Sequence, residues 1–270
     1  MDDIISRFPG LAERIFDSLD DENLVNSKTV SKSWSAFTEN EVFYLRRIIK
    51  KLIGGYDEFN ETWKLVMKKA DMEMKKELAL AVKSFLSKHP ASGPCLARNN
   101  GNDCNHRAIS FSPLHIGAEA GQVSLCEFIL KITKDKNPKL NKWNEFYLEG
   151  IDLGWTPLHE AAQNGHLVIC YMIMNEITDK NPGNANGYTP LHAAALGGQL
   201  ETCKLIMNKV TDINPRDNEG WTPLHEAASN GHQELCKFIV DKVEDKNPED
   251  DYGVTPHELM WNYICGTQYF

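Results

Sequence analysis

Over residues 110–270 the apolar and polar positions recur with a single long period. Pro157, Pro190, Pro223 and Pro256 stand 33 residues apart, and each lies in a near-copy of one text. The copies read Gly154-Trp-Thr-Pro-Leu-His-Glu-Ala-Ala, Gly187-Tyr-Thr-Pro-Leu-His-Ala-Ala-Ala, Gly220-Trp-Thr-Pro-Leu-His-Glu-Ala-Ala and a weaker Gly253-Val-Thr-Pro-His-Glu-Leu. An earlier copy, Ser110-Phe-Ser-Pro-Leu-His-Ile-Gly-Ala, precedes the second by 44 residues and so carries an 11-residue insertion. A fixed period of this length marks units that bury their apolar faces only by stacking on one another.

Each unit predicts two short antiparallel helices. Thr-Pro opens the first, because Thr caps helix N-termini well and Pro is tolerated at the first helical position. The Ala pair allows close helix packing, and Gly165, Gly198 or Gly231 breaks the helix. A second apolar-periodic segment follows, as in Glu201-Thr-Cys-Lys-Leu-Ile-Met and Glu234-Leu-Cys-Lys-Phe-Ile-Val. The unit closes on Asp-Lys-Asn-Pro at 135–138, 179–182 and 245–248, or Asp-Ile-Asn-Pro at 212–215, and turn-rich residues then predict a projecting turn. Only 14 residues follow Pro256, so the last unit is expected to be a half-repeat cap.

This text resembles the ankyrin repeat, with its T-P-L-H-x-A-A opening, two helices, D-x-N and Gly at the same length. The resemblance implies an all-α solenoid over 110–270, of about four full units plus a C-terminal half-repeat.

Residues 8–34 carry a different pattern. Leu11, Ile15 and Leu19, then Leu24, then Val30 and Trp34 give short amphipathic helices separated by the Asp20-Asp21 turn. So small a helical unit completes its core against a partner. With Pro9, Ile15-Phe16, Leu19, Leu24, Val30, Ser31, Lys32 and Trp34 in its slots, the segment resembles the F-box. That resemblance implies an F-box over 1–50 that docks on the Skp-family adaptor of a cullin-RING ubiquitin ligase through Pro9, Leu11, Ile15, Leu24, Val30 and Trp34. Further helical text at Glu41 to Leu52, Glu61 to Lys69 and Met72 to Lys88, the last with Leu78, Ala81, Val82, Phe85 and Leu86 on one face, predicts a helical linker and N-terminal cap over 51–109.

Composition narrows the function. No apolar run approaches the roughly 18 residues of a membrane helix. The acidic start Met1-Asp2-Asp3 lacks the positive charge of a secretory signal, so a cytoplasmic or nuclear protein is expected. The net charge of −9 argues against nucleic-acid binding. Its distribution matters more: residues 1–90 carry 15 acidic against 15 basic side chains, and 110–270 carry 22 against 12. Cys126, Cys170, Cys203 and Cys236 each follow a repeat proline by 13 residues and are expected as reduced, buried hydrophobes. Cys95, Cys104 and His106 have the wrong spacing for a zinc cluster. His115, His159, His192 and His225 recur in one slot and are read as structural, bonding backbone and hydroxyl groups. With no catalytic constellation and no phosphate loop, neither enzyme chemistry nor a cofactor is expected.

The repeat surface remains. In the ankyrin family the positions that vary over a constant scaffold line the concave binding face. Here they include Trp155, Tyr188 and Trp221 in register, Glu160 and Glu226 nearby, and Asp217, Glu219, Asp250 and Asp251 at the tips. The insertion, around Leu140 to Ile151, adds Trp143, Phe146 and Tyr147. In-register aromatics serve either inter-repeat packing or a hot spot for a basic, partly apolar segment of a protein target. The F-box resemblance then implies a substrate receptor that presents its target for ubiquitination. The rival readings are an ankyrin scaffold or inhibitor without a ligase, a pathogen effector that borrows the host ligase, and metal-dependent hydrolysis.

Overall fold

The computed structural model describes residues 61–88, 111–140 and 153–266. They fall into two units, one within Met1–Ala108 and one within Ile109–Phe270. Every regular element among the described residues is a helix. The F-box positions Pro9, Leu11, Ile15, Leu24, Val30 and Trp34, the loop residues Cys95, Cys104 and His106, and the insertion aromatics Trp143, Phe146 and Tyr147 lie outside the described residues.

In the first unit, α1 (Glu61–Lys69) and α2 (Met72–Lys88) occupy the segments that the apolar spacing predicts. Asp71 separates them by capping α2, its carboxylate accepting from the Met74 N–H at 2.9 Å. Trp63, Val66, Leu78, Ala81, Val82 and Phe85 are buried, which places the apolar faces of both helices inward.

The second unit is the repeat stack. Its first helices are α3 (Pro113–Glu119), α5 (Pro157–Gln163), α7 (Pro190–Leu196), α9 (Pro223–Ser229) and α11 (Pro256–Gly266). Its second helices are α4 (Val123–Ile132), α6 (Leu167–Glu176), α8 (Leu200–Met207) and α10 (Gln233–Val240). Each first helix packs on the next first helix, and the second helices stack likewise, so the core is two continuous layers. Leu158, Leu191, the Ala pairs, Ile169, Ile173 and Ile206 are fully buried between them. Cys126, Cys170 and Cys203 are buried and Cys236 half-buried, all as free thiols, and burial pushes Cys170 and Cys203 up to about 12. Such thiols stay protonated and inert.

Neighbour contacts explain the punctuation. Gly198 sits at φ +67°, and a Cβ there would fall 2.6 Å from the His232 ring of the next unit. That ring uses the space: its Nε2 is 2.9 Å from the Leu196 carbonyl at the end of α7. His166 makes the same backward link to the Glu119 carbonyl at 3.0 Å. The Asp-Lys-Asn-Pro text divides its work. Asp135 and Asp179 each accept from the N–H two residues on, forming Asx turns. Lys136 and Lys180 satisfy last-turn carbonyls of α4 and α6, Leu130 and Met174 respectively. Asn137, Asn181 and Asn247 accept from the second residue of the following first helix, Leu158, Leu191 and His257.

The insertion is pinched off at its base. Leu140 N–H donates to the Trp155 carbonyl and Gly154 N–H to the Leu140 carbonyl, both at 2.8 Å. In the next turn the same two bonds join Asn184 to Tyr188 and Gly187 to Asn184. The 11 extra residues of the sequence therefore fall between Leu140 and Gly154, and the described units on either side keep one stacking register.

Because each unit is held largely by its neighbours, removing residues 249–270 takes from the fourth unit its bonds from His225, Arg216 and Trp221 to Val254, Glu249 and Asp250. We expect faster amide exchange at Leu235–Val240 in the truncated chain than in the whole chain. Equal protection there would show that the fourth unit stands by itself.

Candidate protein-binding face

The turn before each first helix is a small hairpin built by one side chain. Asp217 Oδ1 accepts from the N–H groups of Glu219 and Trp221 at 2.9 and 2.8 Å. Asn184 does this for Asn186 and Tyr188, and Asp250 for Tyr252 and Val254. Asp217 and Asp250 thus lie at the base of the hairpin, whereas Glu219 and Asp251 are the exposed tip carboxylates. The hairpins are also joined to one another. Ala185 N–H donates to Leu153, Asn218 N–H to Asn186 and Asp251 N–H to Glu219, at 2.7, 2.8 and 3.0 Å.

A histidine ties each hairpin to the first helix of the unit before it. His159 Nδ1 accepts from the Thr156 N–H at 3.2 Å and lies 2.8 Å from the Thr156 hydroxyl, while its Nε2 lies 3.0 Å from the Tyr188 carbonyl. A carbonyl can only accept, so Nε2 carries the proton and the ring is the neutral Nε2–H tautomer. His115, His192 and His225 repeat the arrangement towards Trp155, Trp221 and Val254. Burial holds His115 and His159 down at about 3 and His192 at about 4, against weaker upward pulls from the carbonyls they bond. The repeated histidines are structural groups, as their recurrence implies.

The aromatic row stands on this ladder. Trp155 packs over His159 at 4.6 Å between ring centroids, Tyr188 over His192 at 5.0 Å and Trp221 over His225 at 5.7 Å. Trp155 also stacks on Tyr188 at 5.8 Å, and the Trp221 indole N–H donates to Asp250 at 3.0 Å. Each ring is half-buried, with one face on its own histidine.

The carboxylates differ from a simple exposed rim. Glu160 and Glu226 are only 8% exposed. Burial pushes Glu226 up to about 7, although the Tyr188 hydroxyl bonds its carboxyl and pulls the other way, and the nearby Asp217 charge adds to the rise. Sequence spacing places Glu226 on the variable face, but its depth and its link to Tyr188 of the preceding unit follow from the stacking. No group of His, Cys, Asp or Glu among the described residues is arranged to hold a metal ion. No described helix is long and apolar enough to cross a membrane.

Two-helix units joined by hydrogen-bonded hairpins, with variable side chains gathered on the hairpins and first helices, define a repeat protein that acts by binding other proteins. A family model for ankyrin repeats (3 copies) matches residues 78–182, 114–217 and 158–250, more than half of the chain, and the chain belongs to that family. No F-box family match accompanies it. No curated protein matches the chain.

The ladder makes stability fall in acid. Between pH 6.5 and about 3 the unfolded state protonates His115 and His159 and the folded state does not, so the folded state loses ground as pH drops through that window. From pH 7 to pH 5 this amounts to about 2 kcal/mol per fully buried ring. Glu226 acts oppositely, since between pH 4.5 and about 7 the folded state keeps a proton that the unfolded state releases. The rings outnumber it. Thermal melts should show a lower Tm at pH 5 than at pH 7, with a larger drop in Glu226→Gln; a flat profile would mean that the rings are solvated.

Proposed function

We propose that the chain is a substrate receptor of a Skp/cullin/F-box ubiquitin ligase. Residues 1–50 dock on the Skp-family adaptor through Pro9, Leu11, Ile15, Leu24, Val30 and Trp34, and the ankyrin repeats hold a protein target with a basic segment. The reading places the protein in the cytoplasm or nucleus. It performs no chemistry itself: holding the target beside the ligase makes ubiquitin transfer effectively intramolecular. What supports the adaptor half is the run of F-box apolar positions in the sequence. The target half rests on one observation, the half-exposed rings Trp155, Tyr188 and Trp221 in register on a repeat region of net charge −10. The rings supply apolar anchors, and Glu160 and Asp217, with Glu226 about half ionised near pH 7, supply negative potential. The reading adds to the target-binding set Trp143, Phe146 and Tyr147 of the insertion, which lie outside the described residues.

Leu24→Asp would place an uncompensated charge in the adaptor interface and should abolish co-purification with the Skp adaptor. Survival of the complex in that variant and after deletion of residues 1–45 would leave a scaffold or inhibitor without a ligase.

On the target side, Trp221→Ala should speed dissociation, by about 2 kcal/mol if it is a hot spot, with little salt dependence. Glu226→Gln with Asp217→Asn should slow association mainly at low salt, because charge steering is screened within about 8 Å at physiological ionic strength. Asn184 builds the preceding hairpin, so Asp217→Asn leaves that fold intact. A target that binds the Trp155, Tyr188 and Trp221 triple-alanine variant unchanged would make the row scaffold only.

A further inference from the structure

The unit that opens at Pro256 departs from the others. In each preceding unit the sixth residue of the first helix, Ala118, Ala162, Ala195 or Ala228, is buried. Trp261 occupies that slot in α11 and is 61% exposed. The neighbouring changes, His257 for Leu and Glu258 for His, make the end polar, as a terminal repeat requires. Glu258 folds back on Thr255, its carboxylate accepting from the Thr255 N–H at 3.1 Å. An indole in the Ala slot does the reverse: it blocks close stacking of a further ankyrin helix and leaves a large apolar ring in water. Tyr252, at the tip of the last hairpin, is 76% exposed, where the equivalent residues Asn186 and Glu219 are polar.

The hairpin ladder is open at the same place. Each earlier hairpin presents a carbonyl, Leu153, Asn186 or Glu219, to an N–H of the next, and Tyr252 holds the next carbonyl in that series. The glycine after it repeats the signal. A Cβ on Gly187 or Gly220 would meet the following hairpin's backbone N–H at 3.2 and 2.9 Å, whereas nothing lies within 4 Å of Gly253.

Charge selects the occupant. Residues 241–258 carry seven acidic against two basic side chains, a net −5 that is half of the excess of the whole repeat region. A second copy of this end would meet like charge. We propose that the C-terminal end of the stack, comprising Glu249, Asp251, Tyr252, Gly253, Glu258 and Trp261, docks an extended basic segment of a protein partner. One backbone N–H of that segment continues the ladder onto the Tyr252 carbonyl. Its Arg or Lys side chains lie on the Tyr252 and Trp261 rings beside the carboxylates. This surface is separate from the row of Trp155, Tyr188 and Trp221 and does not depend on the ligase reading.

The probe is a phage-displayed library of random dodecapeptides panned on the full chain, with enriched peptides then synthesised and titrated. The expected result is a class of peptides with at least two Arg or Lys residues. They should lose about tenfold or more in affinity to Trp261→Ala and to Tyr252→Ala, keep it for Trp155→Ala, and lose it when one backbone amide is N-methylated. Both substituted side chains are exposed, so unchanged thermal melts verify the fold. The proposal is overturned if no basic peptide is enriched, or if every enriched basic peptide binds both end variants as it binds the parent. Peptides lost only to Trp155→Ala would overturn it while leaving the aromatic-row reading standing.

Discussion

A neutral imidazole held between two units is the constraint on which the repeat stack depends. The Thr-Pro-Leu-His text is often described as a helix start, yet its histidine does more than cap. Through Nδ1 it fastens its own Thr, and through Nε2 it fastens the carbonyl of the next hairpin. Both bonds require the uncharged ring in one tautomer, and burial enforces that state. The residue before each Thr-Pro must therefore present its carbonyl inward. Its side chain is then carried over the histidine of its own unit, which is how Trp155, Tyr188 and Trp221 come to stand in register. The aromatic row is a geometric consequence of the ladder before it is anything else.

The repeat was legible because each element has a local signature: Pro at the first helical position, Ala pairs at the helix contact, Gly at the break. The bounds of α1 and α2 were readable from apolar spacing. What escaped was the part that depends on neighbours. Nothing in the text of one unit says that Gly198 makes room for His232, or that the Asx carboxylates of Asp217 and Asp250 sit at the hairpin base while Glu219 and Asp251 take the tips. Glu226 illustrates the limit best. Its slot is on the variable face, but that a carboxyl there is buried, and so raised despite its bond to Tyr188 of the preceding unit, is a property of the stack and not of the slot. The question of packing against binding for the aromatic row dissolves in the same way, since each ring spends one face on its histidine and keeps part of its area exposed.

A stack of this kind separates stability from recognition at the level of single positions. The His and Gly slots are taken by contacts to the adjacent unit and the Thr slot by the histidine of its own unit, so a substitution there strikes the stacking itself. The side chains at the tips and at the fourth position of the first helix differ from unit to unit, as Ile116, Glu160, Ala193 and Glu226 do. The hairpins that bear them are already joined by backbone bonds, so a ligand lying across several of them meets a surface ordered in advance and forfeits less conformational entropy on binding.

The charge on that surface is graded. Residues 110–240 carry 15 acidic against 10 basic side chains, and the 18 residues from Asp241 to Glu258 alone carry as large an excess, seven against two. Screening confines each carboxylate's influence to about a Debye length, roughly 8 Å at physiological salt. The gradient is therefore not averaged over the stack. The basic segment proposed as ligand would meet its strongest attraction at that end, which would set the direction in which it lies. The ladder sets the spacing of the contacts, and the uneven charge sets their polarity.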